Sequence, residues 1–381
     1  MKVLFVTCWY PHQGFPNRGI FVHEHAKAVA RQGGEVKVFH LWVEENSAIW
    51  KVEERKFVKD DVEVFSVVIH SRFQRFIYGN TPLMRALGRY YYKSRIAQVF
   101  SPDIIHGNVI YQAGIIAEKL AIPALKPFVI SEHWSKLDWY FGRKILSYQA
   151  KKVYEKASAV LPVSDILKEN IQKHLDQKDH LITIPNVVDT ELFFYEEKTS
   201  DDLPVDLLMV MNYQNSQKRP EMLLQALSRL PGELHQKFRL TMIGRGNNKV
   251  ETKAYWDELG LQSEIRFTGE LAKEKVAEAM RGADYFVQPT NMETFGVTVA
   301  EALCSGLPCL VSNAGALPEL VDKKSGVLLE NRVDDWVKAL KDILEEKYHF
   351  DRQKIANRYK DKFSYEMVGK QFLEVYDDVL N

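Results

Sequence analysis

Apolar and polar positions along this chain fall into a repeating alternation. KVLFVT at residues 2–7 is a nearly unbroken apolar run, as in a strand buried on both faces. A loop with Gly and Pro follows, then IFVHEHAKAVARQG with apolar residues at helical spacing and a stop at Gly33 and Gly34, then EVKVFHLW. This reads as strand, loop, helix and strand. PDIIHGN, PFVISEH and AVLPVS are further short apolar runs, each ending near polar residues and each followed by a stretch of helical character. Parallel-sheet α/β architecture is the economical reading.

A second series begins after IPNVVDTELF: DLLMVMNY, RPEMLLQALSRL, FRLTMIG, IRFTG, KEKVAEAMRG, DYFVQPT, GVTVAEALCSG and PCLVSN. It predicts another doubly wound sheet. The acidic, Pro-containing EEKTSDDLP suits an exposed connection near residues 195–204. FSYEMVGKQFLEVYDDVL has helical spacing and predicts a closing helix, and the chain shows neither an internal repeat nor a low-complexity segment. Two α/β domains with a cleft between them are expected. Ligands of such sheets sit beyond the carboxyl ends of the strands.

A length of 381 residues agrees with two domains, and 46% hydrophobic with 27% charged residues excludes disorder, collagen and a disulfide miniprotein. Basic and acidic residues number 51 each, which argues against a duplex-coating protein and a nucleic-acid partner. The balance is uneven along the chain. Through Asp189 there are 26 basic and 19 acidic residues, so the first half should attract anions. Cys8, Cys304 and Cys309 have neither C-x-x-C spacing nor a disulfide framework. The first apolar run meets a Pro too early for a signal peptide, and no run approaches a membrane span. A cytoplasmic protein with peripheral membrane contact at the inner face of the cytoplasmic membrane is expected.

The segment richest in chemistry is QPTNMETFGVTVAEALCSGLPCLVSNAGALPELV. A strand ends at Gln288 and Pro289, a polar loop carries Glu293, and Phe295-Gly296 leads into a helix that stops at Gly306. The N–H groups of Gly296, Val297 and Thr298 would face the strand ends, where unpaired donors and the helix dipole suit phosphate. Glu301, further along the helix, would accept hydrogen bonds from vicinal hydroxyls, as the acidic residue of dinucleotide folds does for ribose.

With its E-x7-E motif intact as Glu293 to Glu301, followed by A-E-A-L-x-S-G-L-P, the chain resembles the retaining glycosyltransferases of family 4, built on the GT-B fold. VLFVTCWYP, PDIIHGN, ISEHW, VLPVS, IPNVVDTELF, MIGRG and IRFTGEL extend the resemblance over nearly the whole chain. It implies two Rossmann-like doubly wound domains facing a central cleft. The acceptor domain would be 1–192, completed by a C-terminal helix 363–381 that crosses back to it, and the nucleotide-sugar domain would be 193–362. Glu293 then matches the carboxylate that binds donor-hexose hydroxyls near the reacting carbon, and Glu301 the one that holds the nucleotide ribose. Phe295, Gly296, Val297 and Thr298 match the segment touching donor sugar and diphosphate. Lys218 matches the lysine that neutralises the departing diphosphate, where negative charge develops. A second cation, usually an Arg shortly before that lysine, is replaced by Asn212 and Tyr213. Arg219 and Arg245 are the nearby guanidiniums that would substitute.

In the first domain His133 matches a histidine placed near the transferred sugar, with Glu293 opposite across the expected cleft. Gly19 would allow close backbone approach to diphosphate or acceptor, and Gly14 competes for that role. His106 and Asn108 end another strand and are candidate acceptor contacts. Several other signatures are missing. No G-x-G-x-x-G follows the first strand, Gly244 and Gly246 supply only part of one, and D-x-D and G-x-S-x-G do not occur. His23 and His25, two apart on a helix, face different directions and do not make a metal pair.

From His70 to Phe100 the chain carries Arg72, Arg75, Arg85, Arg89, Lys93 and Arg95 with no acidic residue, among Phe73, Phe76, Tyr78, Tyr90, Tyr91 and Tyr92. This basic, aromatic stretch would suit an anionic membrane surface. The resemblance implies a metal-independent enzyme without cofactor that moves a hexose from a UDP- or GDP-linked donor, with retention, to a hydroxyl of a glycan or lipid-linked acceptor in cell-surface polysaccharide biosynthesis. The alternatives are a GT-B sugar-nucleotide epimerase and a catalytically silent sugar-nucleotide-binding subunit.

Overall fold

A computed structural model describes residues 1–381 apart from 13, 14, 16, 199–202, 213, 214, 216, 246–248 and 262, and apart from the side chains of 249–253. The chain forms two compact units, Met1–Val187 with Tyr365–Asn381, and Val188–Ser364. They divide after Val187 and after Ser364, where the sequence reading puts 192 and 362.

The first unit is built on a seven-stranded sheet in the order β3-β4-β2-β1-β5-β6-β7. Its strands are β1 (Lys2–Thr7), β2 (Glu35–Glu45), β3 (Lys51–Lys59), β4 (Val62–Ser71), β5 (Ile104–Asn108), β6 (Phe128–Glu132) and β7 (Ala159–Pro162). All neighbours run parallel except β3 and β4, a hairpin turning at Asp60 and Asp61, both at positive φ. Every residue of β5 and β6 is buried, as a central parallel strand covered on both faces requires, and β7 at one end of the sheet is buried too. The exposed, charged β3 is an edge.

The predicted closing helix is Tyr365–Leu380, and it packs on the helix Ile20–Arg31. Contact is close at Gly369, where a Cβ would stand 2.4 Å from the carbonyl oxygen of Ala28. The Tyr365 hydroxyl donates to Glu24, and the cationic ends of Lys27 and Arg31 lie over its ring.

The second unit has six parallel strands, β8 (Val205–Asn212), β9 (Phe238–Arg245), β10 (Glu264–Gly269), β11 (Tyr285–Gln288), β12 (Cys309–Ser312) and β13 (Gly326–Leu329), in the order β10-β9-β8-β11-β12-β13. Trp336, Leu340 and Ile343 of the helix Val333–Leu344 seal one face with Leu223, Leu224 and Leu227 of the helix Pro220–Ser228. Both sheets are therefore doubly wound. The chain reverses direction across the sheet between β1 and β5 in the first, and between β8 and β11 in the second.

The three cysteines are buried free thiols, and burial raises the pKa of each. Among the described residues no helix is long and apolar enough to cross a membrane.

Candidate active site

The reversal between β8 and β11 is where parallel sheets of this kind bind ligands. Lys218 follows β8 and Glu293 follows β11, and the two side chains form an ion pair, both largely buried. The loops that carry them are sewn together. Lys218 and Thr290 make an antiparallel bridge, the Asn291 N–H donates to the Gln217 carbonyl at 2.8 Å, and the Thr290 hydroxyl donates to the same carbonyl at 3.0 Å.

Glu293 is fixed from two further directions. Gln288, the last residue of β11, donates its amide to Glu293 Oε1 at 3.0 Å and accepts from the Thr298 hydroxyl at 2.8 Å. The loop after β12 closes on the Glu293 backbone. The Ala316 N–H donates to the Glu293 carbonyl at 3.0 Å, and Gly315, at φ 55, has no room for a Cβ against the Glu293 nitrogen and oxygen.

The helix Val297–Cys304 opens at Gly296, whose φ of 93 is left-handed and whose missing Cβ leaves space for Leu317. Its first turn brings free donors beside the Lys–Glu pair. Thr298 is tied to Gln288, Val297 is exposed, and Glu301 stands half-buried on the following turn. Phe295 is turned inward instead. It packs edge-on against Phe363 at 5.5 Å, so its side chain anchors the loop and only its backbone is available to a ligand.

The guanidiniums proposed as substitutes are otherwise engaged. Arg219 donates to Glu221 at 2.7 Å and reaches Asn291 at 3.4 Å, while Arg245, at the carboxyl end of β9 after Gly244, pairs with Glu270 at 3.7 Å. Asn212 ends β8 in register with Arg245. Tyr213 and Gly246 lie outside the described residues.

In the first unit His133 follows β6 and is 9% exposed, and neither ring nitrogen has a hydrogen-bond partner within 3.5 Å. Phe21 lies 4.2 Å and His25 5.2 Å from its ring, with Asn186 nearby. Burial, reinforced by His25 and His106, holds its pKa well below the usual histidine value, so the ring is neutral at pH 7. His25 Nε2 donates to the Pro185 carbonyl (3.2 Å), and burial takes its pKa down to about 4.

His106 corrects the sequence reading. It is fully buried, with Nδ1 2.6 Å from the Tyr376 hydroxyl and Nε2 2.8 Å from the Ser131 hydroxyl, so it joins β5 and β6 to the closing helix and offers no free nitrogen to an acceptor. Asn108 is equally buried and donates to the His106 carbonyl at 3.2 Å. Gly19 caps the helix Ile20–Arg31 at φ 63, and a Cβ there would stand 2.1 Å from the Trp9 carbonyl oxygen. Chain packing alone therefore requires that glycine. Gly14 lies outside the described residues.

Sequence reading missed Glu132. This fully buried carboxylate accepts the N–H groups of Ile110, His133 and Trp134 at 2.9 Å each and the Tyr154 hydroxyl at 2.7 Å, and burial raises its pKa against those bonds. An acid continuing the apolar run PFVIS was the available signal. Its bonds fix the backbone on both sides of the first sheet's strand ends, including Val109, a β-branched residue held at φ 70. His23 and His25 are separately engaged, and no group of three or more His, Cys, Asp or Glu is placed to hold a metal ion among the described residues.

Residues 195–362 match the family described as glycosyl transferases group 1, and residues 19–192 match glycosyltransferase family 4. The sulfoquinovosyl transferase SQD2 of Arabidopsis thaliana is 27% identical over 279 residues, 67% of this chain and 52% of that protein. The D-inositol 3-phosphate glycosyltransferase of Mycobacteroides abscessus is 31% identical over 137 residues, 34% of this chain and 30% of that one. This chain thus spans about half the length of the plant relative and less of the bacterial one. Among solved structures, Anabaena HepE in complex with UDP-glucose superposes with a TM-score of 0.72 at 16% identity, over 99% of this chain and all of that one. The two matched segments together span nearly the whole chain, which belongs to the family 4, group 1 glycosyltransferases and has their two-domain α/β GT-B fold.

Proposed function

We propose that the protein transfers a hexose, with retention of configuration, from a UDP- or GDP-linked donor to a hydroxyl of a glycan or lipid-linked acceptor. The observation that carries this is the Lys218–Glu293 pair at the β8/β11 reversal, beside the opening turn of the helix Val297–Cys304. A diphosphate bound there would draw Lys218 toward itself, and the helix N–H groups would take its oxygens. Glu293, released from the lysine but still held by Gln288, would accept the hexose hydroxyls, and Glu301 the ribose hydroxyls. Lysine and backbone donors supply the charge stabilisation that a metal ion gives elsewhere. The bond from the anomeric carbon to the diphosphate oxygen breaks as the acceptor oxygen bonds on the same face. The departing phosphate oxygen takes the acceptor's proton, so no protein nucleophile is assigned. His133, neutral and with unpartnered nitrogens, would hydrogen-bond the transferred sugar. Cell-surface polysaccharide synthesis at the inner membrane face is the setting we assign.

HepE was solved with UDP-glucose, which favours trying a uridine donor first. Calorimetric titration with UDP and GDP in the presence of a chelator tests the reading. Micromolar binding of one nucleotide, weakened about tenfold or more in Lys218→Ala, is expected. Binding of neither would overturn it, and the engagement of Arg219 and Arg245 by other partners would then explain the loss; binding without any turnover of the matching sugar nucleotide would favour the silent subunit. Consumption of sugar nucleotide to an isomeric sugar nucleotide without acceptor would favour the epimerase.

A further inference from the structure

β6 leads through Glu132 straight into an aromatic ledge. The Glu132 carboxylate takes the Trp134 N–H at 2.9 Å, so the Trp134 backbone is fixed where the strand ends. Tyr111, after β5, stacks on the Trp134 ring at 5.5 Å, and Trp9, after β1, meets it edge-on at 6.2 Å. Trp139 of the helix Leu137–Phe141 meets it edge-on at 6.0 Å. Three strand ends thus send rings into one cluster, beside the β1/β5 reversal where ligands of such sheets sit.

One end of the ledge stays in water and carries a cation. Trp139 is 45% exposed, although the Arg143 guanidinium lies 3.8 Å from its ring centroid. That guanidinium has no carboxylate within 4.0 Å among the described residues, and Asp138 is the one acid from His133 to Tyr154, a stretch with five cations. An arginine stacked on an indole uses its flat face and keeps its N–H edge, which fits a carboxylate through two parallel bonds. The indoles supply what a sugar ring needs, an electron-rich face for polarised C–H groups and a rim N–H for a hydroxyl. A hydrocarbon tail would use the face alone.

We propose that Trp134, Trp139 and Arg143 form an acceptor subsite for an acidic sugar, a pyranose ring lying on the indoles with its carboxylate against the guanidinium edge. The inference rests on the transferase reading above and narrows its acceptor to a glycan that contains uronic acid. His133 and Trp134 share the Glu132 anchor, which ties the subsite to the histidine assigned to the transferred hexose.

The test is saturation-transfer difference NMR on the full chain with three probes: a hexasaccharide of alternating glucuronate and N-acetylglucosamine, maltohexaose, and decyl phosphate. Saturation of sugar-ring protons is expected, strongest for the acidic hexasaccharide. Its Kd should rise about fivefold in Trp139→Ala and about tenfold in Arg143→Ala, and stay within about twofold in Trp139→Phe, which keeps an aromatic face. Maltohexaose should be indifferent to Arg143→Ala. No saturation of either hexasaccharide, equal binding of the two, binding undiminished in Trp139→Ala, or Trp139-dependent saturation of the decyl chain instead would each overturn the proposal. Circular dichroism and UDP titration of the same samples separate the causes of a loss. UDP binding kept while sugar binding is absent would sink the subsite alone, and sugar binding without UDP or GDP binding would sink the donor reading and leave a carbohydrate-binding face.

Discussion

The two sheets share one topological device and fill it with opposite chemistry. At the β8/β11 reversal the second unit places an ion pair, a glutamine relay and the opening of a helix. At and just beyond the β1/β5 reversal, around β5 and its neighbour β6, the first unit places neutral, buried histidines, a carboxylate saturated by four donors, and the aromatic rings of Trp9, Tyr111 and Trp134. One site pairs opposite charges, and under the proposed function it would exchange that ion pair for a ligand's. The other is buried and neutral, saturated at Glu132 but with unpartnered polar atoms at His133, His25 Nδ1 and Asn108 Oδ1. The contrast teaches that a shared fold sets where a ligand sits, while the loops after the strands set what kind of ligand it is.

The contrast breaks most sharply at Glu293. Glu293→Ala should lower turnover about 10²- to 10³-fold, because it would remove both the proposed hexose contact and the ion-pair partner of Lys218; steady-state kinetics at saturating donor would show it. Unchanged turnover would detach the pair from the reaction.

Acid should expose the other half of the comparison. His25 has a folded pKa of about 4 against 6.5 unfolded, so its neutral burial costs no stability above about pH 6.5, and stability is lost as pH falls from there toward 4. The loss from this residue approaches ~3 kcal/mol by linkage. Urea midpoints across pH 7 to 4 would report it, and His25→Asn should flatten the slope. A wild-type midpoint that holds steady would contradict the buried neutral state.

Lys218→Ala should weaken UDP or GDP binding by about tenfold or more, roughly 2 kcal/mol for a charge-assisted bond. His133→Ala should leave nucleotide affinity within about twofold while slowing transfer. Equal effects of both on affinity would erase the distinction between the two sites. The smallest change is expected from Glu301→Ala, a several-fold rise in nucleotide Kd with turnover at saturation nearly kept.

Much of the second site was readable because its parts lie close in sequence. Glu293, Gly296 and Thr298 sit within one loop and helix, and their order carries the chemistry. Gln288 and Gly315 escaped because a polar strand end and a lone glycine acquire meaning only once three loops meet at Glu293. His106 misled for the converse reason. Its partner Tyr376 is 270 residues away, beyond any local pattern. The β3–β4 hairpin also went unread, since β3 is charged and exposed and lacks the apolar run that marked the other strands. β13 was missed as well, its two middle residues being part-exposed where β12 is buried throughout.

The closing helix has a consequence for biosynthesis. Phe372 and Tyr376 complete the core around His25 and His106, yet they follow the whole second unit in the chain. During vector synthesis from the amino end, the second unit has all its strands before the first has its last buried layer. The first unit must therefore wait on the ribosome with the His25 and Ala28 face of the helix Ile20–Arg31 uncovered, and that seam is where a chaperone would engage the nascent protein.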